Sequence, residues 1–503
     1  MRPAITVASN YGRFVVGMAS VAIVTPRAIA AIGMQQFGVW SLASATCGFI
    51  TLLELGIATT SMRFAAESEG AGERGRRDAR LSTLLVAQLP IALAMMAAGW
   101  LGATPMARVF GLSGSAATEF TRIVHLGATV AAAVLPLSLW RAALAARGHL
   151  HLSNLADAGS IAAGAAVSLA GLAAGLGATA LALGAGTTLL LPAPLLHAAL
   201  RRRVPDLRLS WRHASLGEWR AMRNFAAAAV SSNGANLASQ RLEPVLVNAY
   251  LPLGAVGQYS IAARIAEYAV LLGRQLSGAL TPMVARAHGA GDAGTVRATL
   301  LTGTVFQMAL VLPFALLLGW HAPAILHAWI GTSAEGAALP LRLLCVALAL
   351  AALAMNPAIC LGMTGRHRLV AHAALGGAAL RLAAGALLLG PLGLAGVGLA
   401  AIASAAIVDV GVVVTRACRH VGIPLGAFFA QAVAPVLPGL LAAAAVSAAL
   451  ERWQPPLSLP AVFAQSAVAG AAFVALFVPC VLRRSPAWRT RAAVPYAREA
   501  AAS

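Results

Sequence analysis

The residues of this chain that could do chemistry are charges set inside long apolar runs. Arg27, Glu54, Arg241, Glu243, Arg264, Glu267, Arg274, Arg381 and Asp409 interrupt stretches otherwise built mainly from Ala, Leu, Gly, Val and Ile. A charge at the centre of a membrane helix costs about 2.5–3.5 kcal/mol on insertion scales, so each should face a water-filled cavity or a partner of opposite sign. The set holds more arginines than acids, which suits an anionic ligand, because guanidinium groups clamp phosphate oxygens bidentately. The four acids are candidate proton or cation positions, and the arginines are candidate substrate contacts.

Their spacing groups them. At about 100° per residue, Arg264, Glu267 and Arg274 share one helix face. Asn233, Asn236, Gln240 and Glu243 form a second stripe on the preceding helix, flanked by Arg241. Facing polar stripes enclose water, since lipid would leave those groups unsatisfied. A competing reading is an interhelical ion pair, such as Arg264 with Glu243, that holds no ligand. Arg27 follows Pro26, which bends its helix and frees a carbonyl. Its guanidinium either faces a cavity or snorkels to the outer surface about 9 Å away. Arg381 has the same two options. Glu54 and Asp409 are either ion-coupling sites or partners of buried arginines. Arg63 and Glu67 stand at i, i+4 spacing at a helix end.

Little else in the chain suggests chemistry. It has no Gly-rich phosphate loop, no paired catalytic carboxylates and no His/Cys cluster with metal spacing. The five cysteines are scattered singly, and His149 and His151 fall on different helix faces. The expectation is a protein with no catalytic residue, no metal and no cofactor, and not an enzyme. The net charge of +20 could suggest nucleic acid, but the positions of the arginines argue for a bilayer and against a nucleic-acid partner.

The elements that must position these residues are membrane helices. The chain is 59% hydrophobic and 10% charged, where a soluble domain carries roughly a quarter charged residues. About 20 apolar residues span a bilayer core as a helix, and fourteen stretches qualify: 13–33, 38–62, 81–101, 120–146, 152–175, 177–200, 224–250, 256–285, 296–320, 336–363, 368–390, 394–417, 426–450 and 459–482. Tight turns within 152–200 and 368–417 leave a count of twelve with re-entrant segments open. The arginines alternate with this count. Even-numbered connectors carry Arg63, Arg74, Arg76, Arg77, Arg80, Arg147, the run Arg201 to Arg223, Arg286, Arg297, Arg366, Arg368, Arg416 and Arg419, and the tail adds Arg483, Arg484, Arg489, Arg491 and Arg498. Odd connectors carry few, chiefly Arg108 and Arg452. Both termini are therefore expected in the cytoplasm. No cleavable signal peptide is expected.

An internal repeat is also legible. GVWSLA at Gly38 and GQYSIA at Gly257 lie 219 residues apart, as do Gln88 and Gln307, and Gly99-Trp100 matches Gly319-Trp320 at an offset of 220. Leu-Gly at Leu176 is echoed at Leu392. The expected architecture is an all-α polytopic membrane protein: two six-helix lobes related by a pseudo-twofold along the membrane normal, plus two C-terminal helices. The expected divisions are a first lobe over 1–200, a basic cytoplasmic linker over 201–223, a second lobe over 224–420, and helices thirteen and fourteen with the tail over 421–503.

ELGIATTSMRFAAE (Glu54 to Glu67), LEPVLVNAYLPLGAVGQYSIAARI (Leu242 to Ile265) and GPLGLAGVGLA (Gly390 to Ala400) resemble bacterial polysaccharide flippases of the multidrug/oligosaccharidyl-lipid/polysaccharide exporter superfamily. The resemblance spans roughly residues 10 to 420. It implies two lobes around a central cavity with alternating access. It also implies translocation of an undecaprenyl-pyrophosphate-linked oligosaccharide across the bacterial inner membrane for O-antigen, capsule or exopolysaccharide synthesis. Arginines on helices one, two and eight meet pyrophosphate in the lipid-II flippases of the superfamily, and Arg27, Arg63 and Arg264 are the nearest matches. Glu54 stands where Asp is usual. The implied partners are the lipid-linked oligosaccharide, the phospholipid bilayer, and a polysaccharide polymerase with its export machinery, with the transporter itself a monomer. The alternatives are a multidrug antiporter or lipid-II flippase of the same superfamily, or a membrane glycosyltransferase or polymerase. That last reading wants a large outer loop with catalytic acids, whereas the outer connectors near 102–119 and 321–335 carry one acid each, Glu119 and Glu335.

Overall fold

Long apolar runs leave a backbone in lipid no hydrogen-bond partner but itself, and the described residues form helices and no strand. The computed structural model describes residues 2–484. The side chains of 2–4, 6, 7, 52, 53, 55, 56, 228–240, 272, 275, 276, 278, 279, 282 and 482–484 lie outside the described set, as do the tail arginines Arg489, Arg491 and Arg498. The helices are α1 Arg2–Ile50, α2 Leu55–Gly70, α3 Arg74–Val109, α4 Gly114–Ala146, α5 Leu150–Ala173, α6 Thr179–Leu190, α7 Pro192–Arg203, α8 Leu216–Tyr250 and α9 Leu253–Gly289. They continue as α10 Ala293–Trp320, α11 Ala322–Ile330, α12 Ala338–Leu361, α13 His367–Leu392, α14 Leu394–Ser404, α15 Thr415–His420, α16 Leu425–Ala432, α17 Leu437–Trp453 and α18 Leu459–Arg484.

Nine helices among the described residues are long and apolar enough to cross a membrane, or ten if α16 and α17, bent by 50°, count as one span. This is fewer than the fourteen stretches expected. One cause is that α1 runs through a break at Gly33 (φ 75°) and takes up two stretches. Likewise, the segment Thr332–Leu392 counts as a single run. In addition α8 and α9, which carry Arg241, Glu243, Arg264, Glu267 and Arg274, fall outside the apolar set.

The chain divides into two units, one ending at Ser260 and the other starting at Ile261. In the first, α1 packs on α4, α5 and α8, α2 packs on α4 and α8, and α3 packs on α4. Ile57, Phe64, Leu81, Leu84, Leu139, Leu144, Leu196 and Met222 form a buried core that joins α2, α3, α4, α7 and α8. The residues between α7 and α8 lie on the start of α3: Arg208 N donates to Asp78 Oδ2, Ser210 N to Ser82 Oγ and Ser215 N to Thr83 Oγ1, at 3.2, 3.2 and 2.9 Å. In the second unit, α12 packs on α10 and α14, α13 packs on α14, and α17 packs on α18. Wide π-type turns run from Ala405 to Val414 between α14 and α15.

The repeated residues have matching surroundings. Buried Gln88 on α3 donates to Leu135 O (3.0 Å) and Ser138 Oγ (2.9 Å), beside Pro136 of α4. Buried Gln307 on α10 accepts from Ser277 Oγ at 3.1 Å and donates to Met355 Sδ at 3.1 Å, beside Pro357 of α12. In both places a buried glutamine bonds another helix within two residues of a proline. The Leu-Gly echoes are turns: Gly177 (φ 60°) precedes α6 and Gly393 (φ 58°) precedes α14, in a region that favours glycine.

Candidate functional site

The seam between α1 and α5 carries charge at two depths. Arg27, exposed, lines an open groove of about 640 Å³ with Ile23 and Ala31 of α1 and Leu169, Leu172 and Ala173 of α5. Its Nη1 donates to Ile23 O at 3.4 Å. Toward the other end of the same seam, Asp157 of α5 accepts from Arg13 Nη1 at 3.3 Å and from Arg141 Nη2 of α4 at 2.7 Å. Asn154, one turn before Asp157, donates to Ser9 Oγ at 3.1 Å. Sequence reasoning missed Arg13, Arg141 and Asp157. Arg141 and Asp157 lie within expected spans, and only the contact order of α1, α4 and α5 brings the three together. Glu54, half-buried, lies within the electrostatic reach of Arg141.

Around α2 and α8, Arg63 lies exposed with its guanidinium 4.3 Å from the ring centre of Phe225. Glu67, its expected i+4 partner, accepts instead from Arg80 Nη2 at 3.3 Å, because α3 brings a second guanidinium to that end of α2. Arg241 runs along α1 over Gly48, where a Cβ would meet the Arg241 side chain at 2.6 Å. Glu243 is buried and accepts a hydrogen bond from the Tyr259 hydroxyl, itself buried. The expected alternative of an Arg264–Glu243 pair is thus replaced by a phenol donor, and Arg264 contacts Glu267 at 3.5 Å within α9. Arg264, Glu267 and Arg274 are all exposed. The side chains of Asn233, Asn236 and Gln240 lie outside the described residues.

In the second unit, Arg381 on α13 and Asp409 in the wide-turned segment are half-buried, and Asp409 lies within the field of Arg381. Wide turns of this kind recur at functional positions. The two acids of the outer connectors have structural partners. Glu119 accepts from Ala178 N at 2.7 Å at the start of α6, and Glu335 contacts His327 at 3.4 Å. Among the described residues no group of three His, Cys, Asp or Glu is placed to hold a metal ion.

The connector arginines read from the sequence as orientation signals build a network. Arg77, 1% exposed, contacts Asp78 and Glu69 at 2.8 Å and Asp206 at 3.3 Å. Arg147 contacts Asp206 at 2.6 Å and Glu69 at 2.7 Å, while Arg80 and Arg76 each meet Glu218 at 3.0 Å. Burial alone would push these carboxyls up. The arginine hydrogen bonds outweigh it and hold Glu69, Asp206 and Glu218 below the usual carboxylate range.

Comparison with known proteins gives a family and a fold. Residues 31–336 match the family described as polysaccharide biosynthesis protein. No curated protein matches by sequence. Among solved structures, lipid II flippase MurJ in an inward closed conformation is similar at a TM-score of 0.71 and 12% identity, over 95% of this chain and 99% of that one. An inward-facing multidrug resistance MATE family transporter of the MOP superfamily is similar at 0.69 and 14% identity, over 82% and 98%. A MOP superfamily transporter from Pyrococcus furiosus, for which reversed polarity of the binding pocket suggests a different function, is similar at 0.61 and 14% identity, over 83% and 95%. At these identities the likeness is one of fold: the chain is a multi-pass membrane protein, helical throughout the described residues, with a MATE/MurJ-like fold.

Proposed function

The chain belongs to the polysaccharide biosynthesis protein family, and from that premise we propose that it is a flippase for a lipid-linked oligosaccharide carried on undecaprenyl pyrophosphate. The observation that carries this reading is the exposure of Arg27 on the apolar helix α1 and of Arg264 and Arg274 on α9. A guanidinium facing hydrocarbon is costly, so these groups face water and an anion. Phosphate oxygens are their natural ligand. The sugar travels in water, the polyprenyl tail stays in the bilayer, and the arginines carry the diphosphate.

In this reading the lobes over 1–200 and 224–420 rock about the linker at 201–223, with the segment from 421 on as an addition. Arg63, Arg241, Arg381, Asn233, Asn236 and Gln240 add substrate contacts, and Glu54, Glu243, Glu267 and Asp409 bias the cycle through a bound proton or cation. The protein sits as a monomer in the inner membrane with both termini cytoplasmic, beside the polymerase and export machinery that take its product. A multidrug antiporter would want an acidic cavity, and pocket polarity is the property that suggests a different function for the Pyrococcus furiosus transporter.

The test is surface polysaccharide in a deletion strain carrying Arg264→Ala with Arg274→Ala. The expected result is loss of polymer with the protein still in the membrane. Polymer at normal levels overturns the reading, and drug sensitivity of the deletion strain would point to the antiporter.

A further inference from the structure

The trio Arg13, Asp157 and Arg141 keeps its cations open and its carboxylate covered. The carboxylate is the covered member, with its side chain 12% exposed, and the two cations are the open ones, at 43% for Arg13 and 34% for Arg141. One carboxylate holds two guanidinium groups, each by one nitrogen, so both keep N–H donors to spare. Arg141 Nε is buried and has no partner among the described groups. Glu54 also lies within the electrostatic reach of Arg141. Arg13 ties α1 to α5 and Arg141 ties α4 to α5 through the same carboxylate, where well-packed apolar residues often serve as well as a buried pair.

Position adds to this. Arg141 lies six residues before Arg147 on α4, so it sits about 9 Å inward of the connector network. Arg13 and Arg27 are fourteen residues apart on α1, about 21 Å along its axis and within about 40° of the same face. Both meet α5, Arg13 at Asp157 and Arg27 at the apolar groove. One seam therefore carries cations at two depths.

We propose that Arg13 and Arg141, which share Asp157 as their resting partner, form a second anion site, a loading station on the basic-connector side that takes phosphate oxygens of a membrane-borne ligand before they reach Arg27. The shared chemistry is a phosphate ester on a lipid. Its source is either the diphosphate of a polyprenyl carrier, which rests on the flippase reading, or the headgroup of an anionic phospholipid. Asp157 balances the charge of the two guanidinium groups while the site is empty, and an arriving phosphate takes up the donors that Asp157 leaves open.

The experiment measures binding of farnesyl diphosphate to the full chain in phosphatidylcholine nanodiscs, with farnesol as the uncharged control. Arg13→Gln with Arg141→Gln is expected to weaken binding at least tenfold, and Asp157→Asn to leave it equal or tighter, because a competing carboxylate is removed. Competition by added phosphatidylglycerol would assign the site to phospholipid headgroups and leave the anion site standing. Unchanged binding in the double arginine variant overturns the proposal. If that variant does not fold, Asp157→Asn decides, and weakened binding there marks a structural tie and overturns it. The function reading fails separately. Polymer made at normal levels by the Arg264 and Arg274 variant, with farnesyl diphosphate still dependent on Arg13 and Arg141, removes the transport reading and keeps the site.

Discussion

Gly38 and Gly257 stand in reciprocal contact. A Cβ on Gly38 would overlap the carbonyl of Leu253, and a Cβ on Gly257 would lie 2.9 Å from the carbonyl oxygen of Met34. Leu253 and Gly257 each lie 219 residues after Met34 and Gly38. Each segment thus presents to the other the residues that the other presents to it, as in a contact about a local twofold. Glycine is needed at both places because backbone, which cannot swing aside, occupies the space a side chain would take.

Gly38→Ala is expected to destabilise the protein by about 1–3 kcal/mol, the usual cost of overpacking. Gly257→Ala is expected to cost less, since part of its crowding comes from the flexible end of Met34. Thermal melting in detergent checks the order. Equal losses would contradict that order, and wild-type melting of both variants would contradict the close packing itself.

The connector network should be acid-sensitive. The folded carboxyls of Glu69, Asp206 and Glu218 titrate below their ordinary range. Their contribution is therefore fully present above the unfolded values of about 4 and is lost as pH falls through the lower folded values. Melting temperature measured from pH 7 down to pH 3 should drop below about pH 4, and Asp206→Asn should flatten part of that drop while lowering stability at pH 7. Arg77→Ala removes the most buried member and is expected to cost about 3–5 kcal/mol, because it leaves acids without their counter-charge.

Gln88 and Gln307 should behave as counterparts. Gln88→Leu takes two donations from α4, and Gln307→Leu leaves the buried Ser277 hydroxyl without its acceptor. Each is expected to cost about 1–3 kcal/mol. They share no described partner, so the double variant should add to within about 0.5 kcal/mol. Unfolding in mixed micelles gives all three numbers, and a strongly non-additive result would mean that the two sites are linked.

Tyr259→Phe removes a hydrogen-bond donor from the buried Glu243. The cost expected for a buried acceptor losing a donor is about 1–3 kcal/mol. A double-mutant cycle with Glu243→Gln should return a coupling energy of at least about 0.5 kcal/mol. Zero coupling would assign Glu243 to its other contacts.

The sequence by itself determined the membrane class and the helical fold, and it offered the repeat at 219 residues and the charges expected to avoid lipid. Apolar length, charge alternation and residue offset are properties of the chain read in order, and the bilayer makes each of them costly to violate. Only tertiary structure decided the partners. Glu243 could have met Arg264, but the α8–α9 turn brings Tyr259 to it. Arg63 could have met Glu67, but α3 delivers Arg80 to Glu67, and Arg63 lies over Phe225 of α8. Arg13, Arg141 and Asp157 are up to 144 residues apart, and no periodicity along one helix foretells which neighbours it will have. A charge in a membrane announces that it needs a partner. Which partner it finds depends on how the helices pack, and that information lies in pairs of helices and not in either one alone.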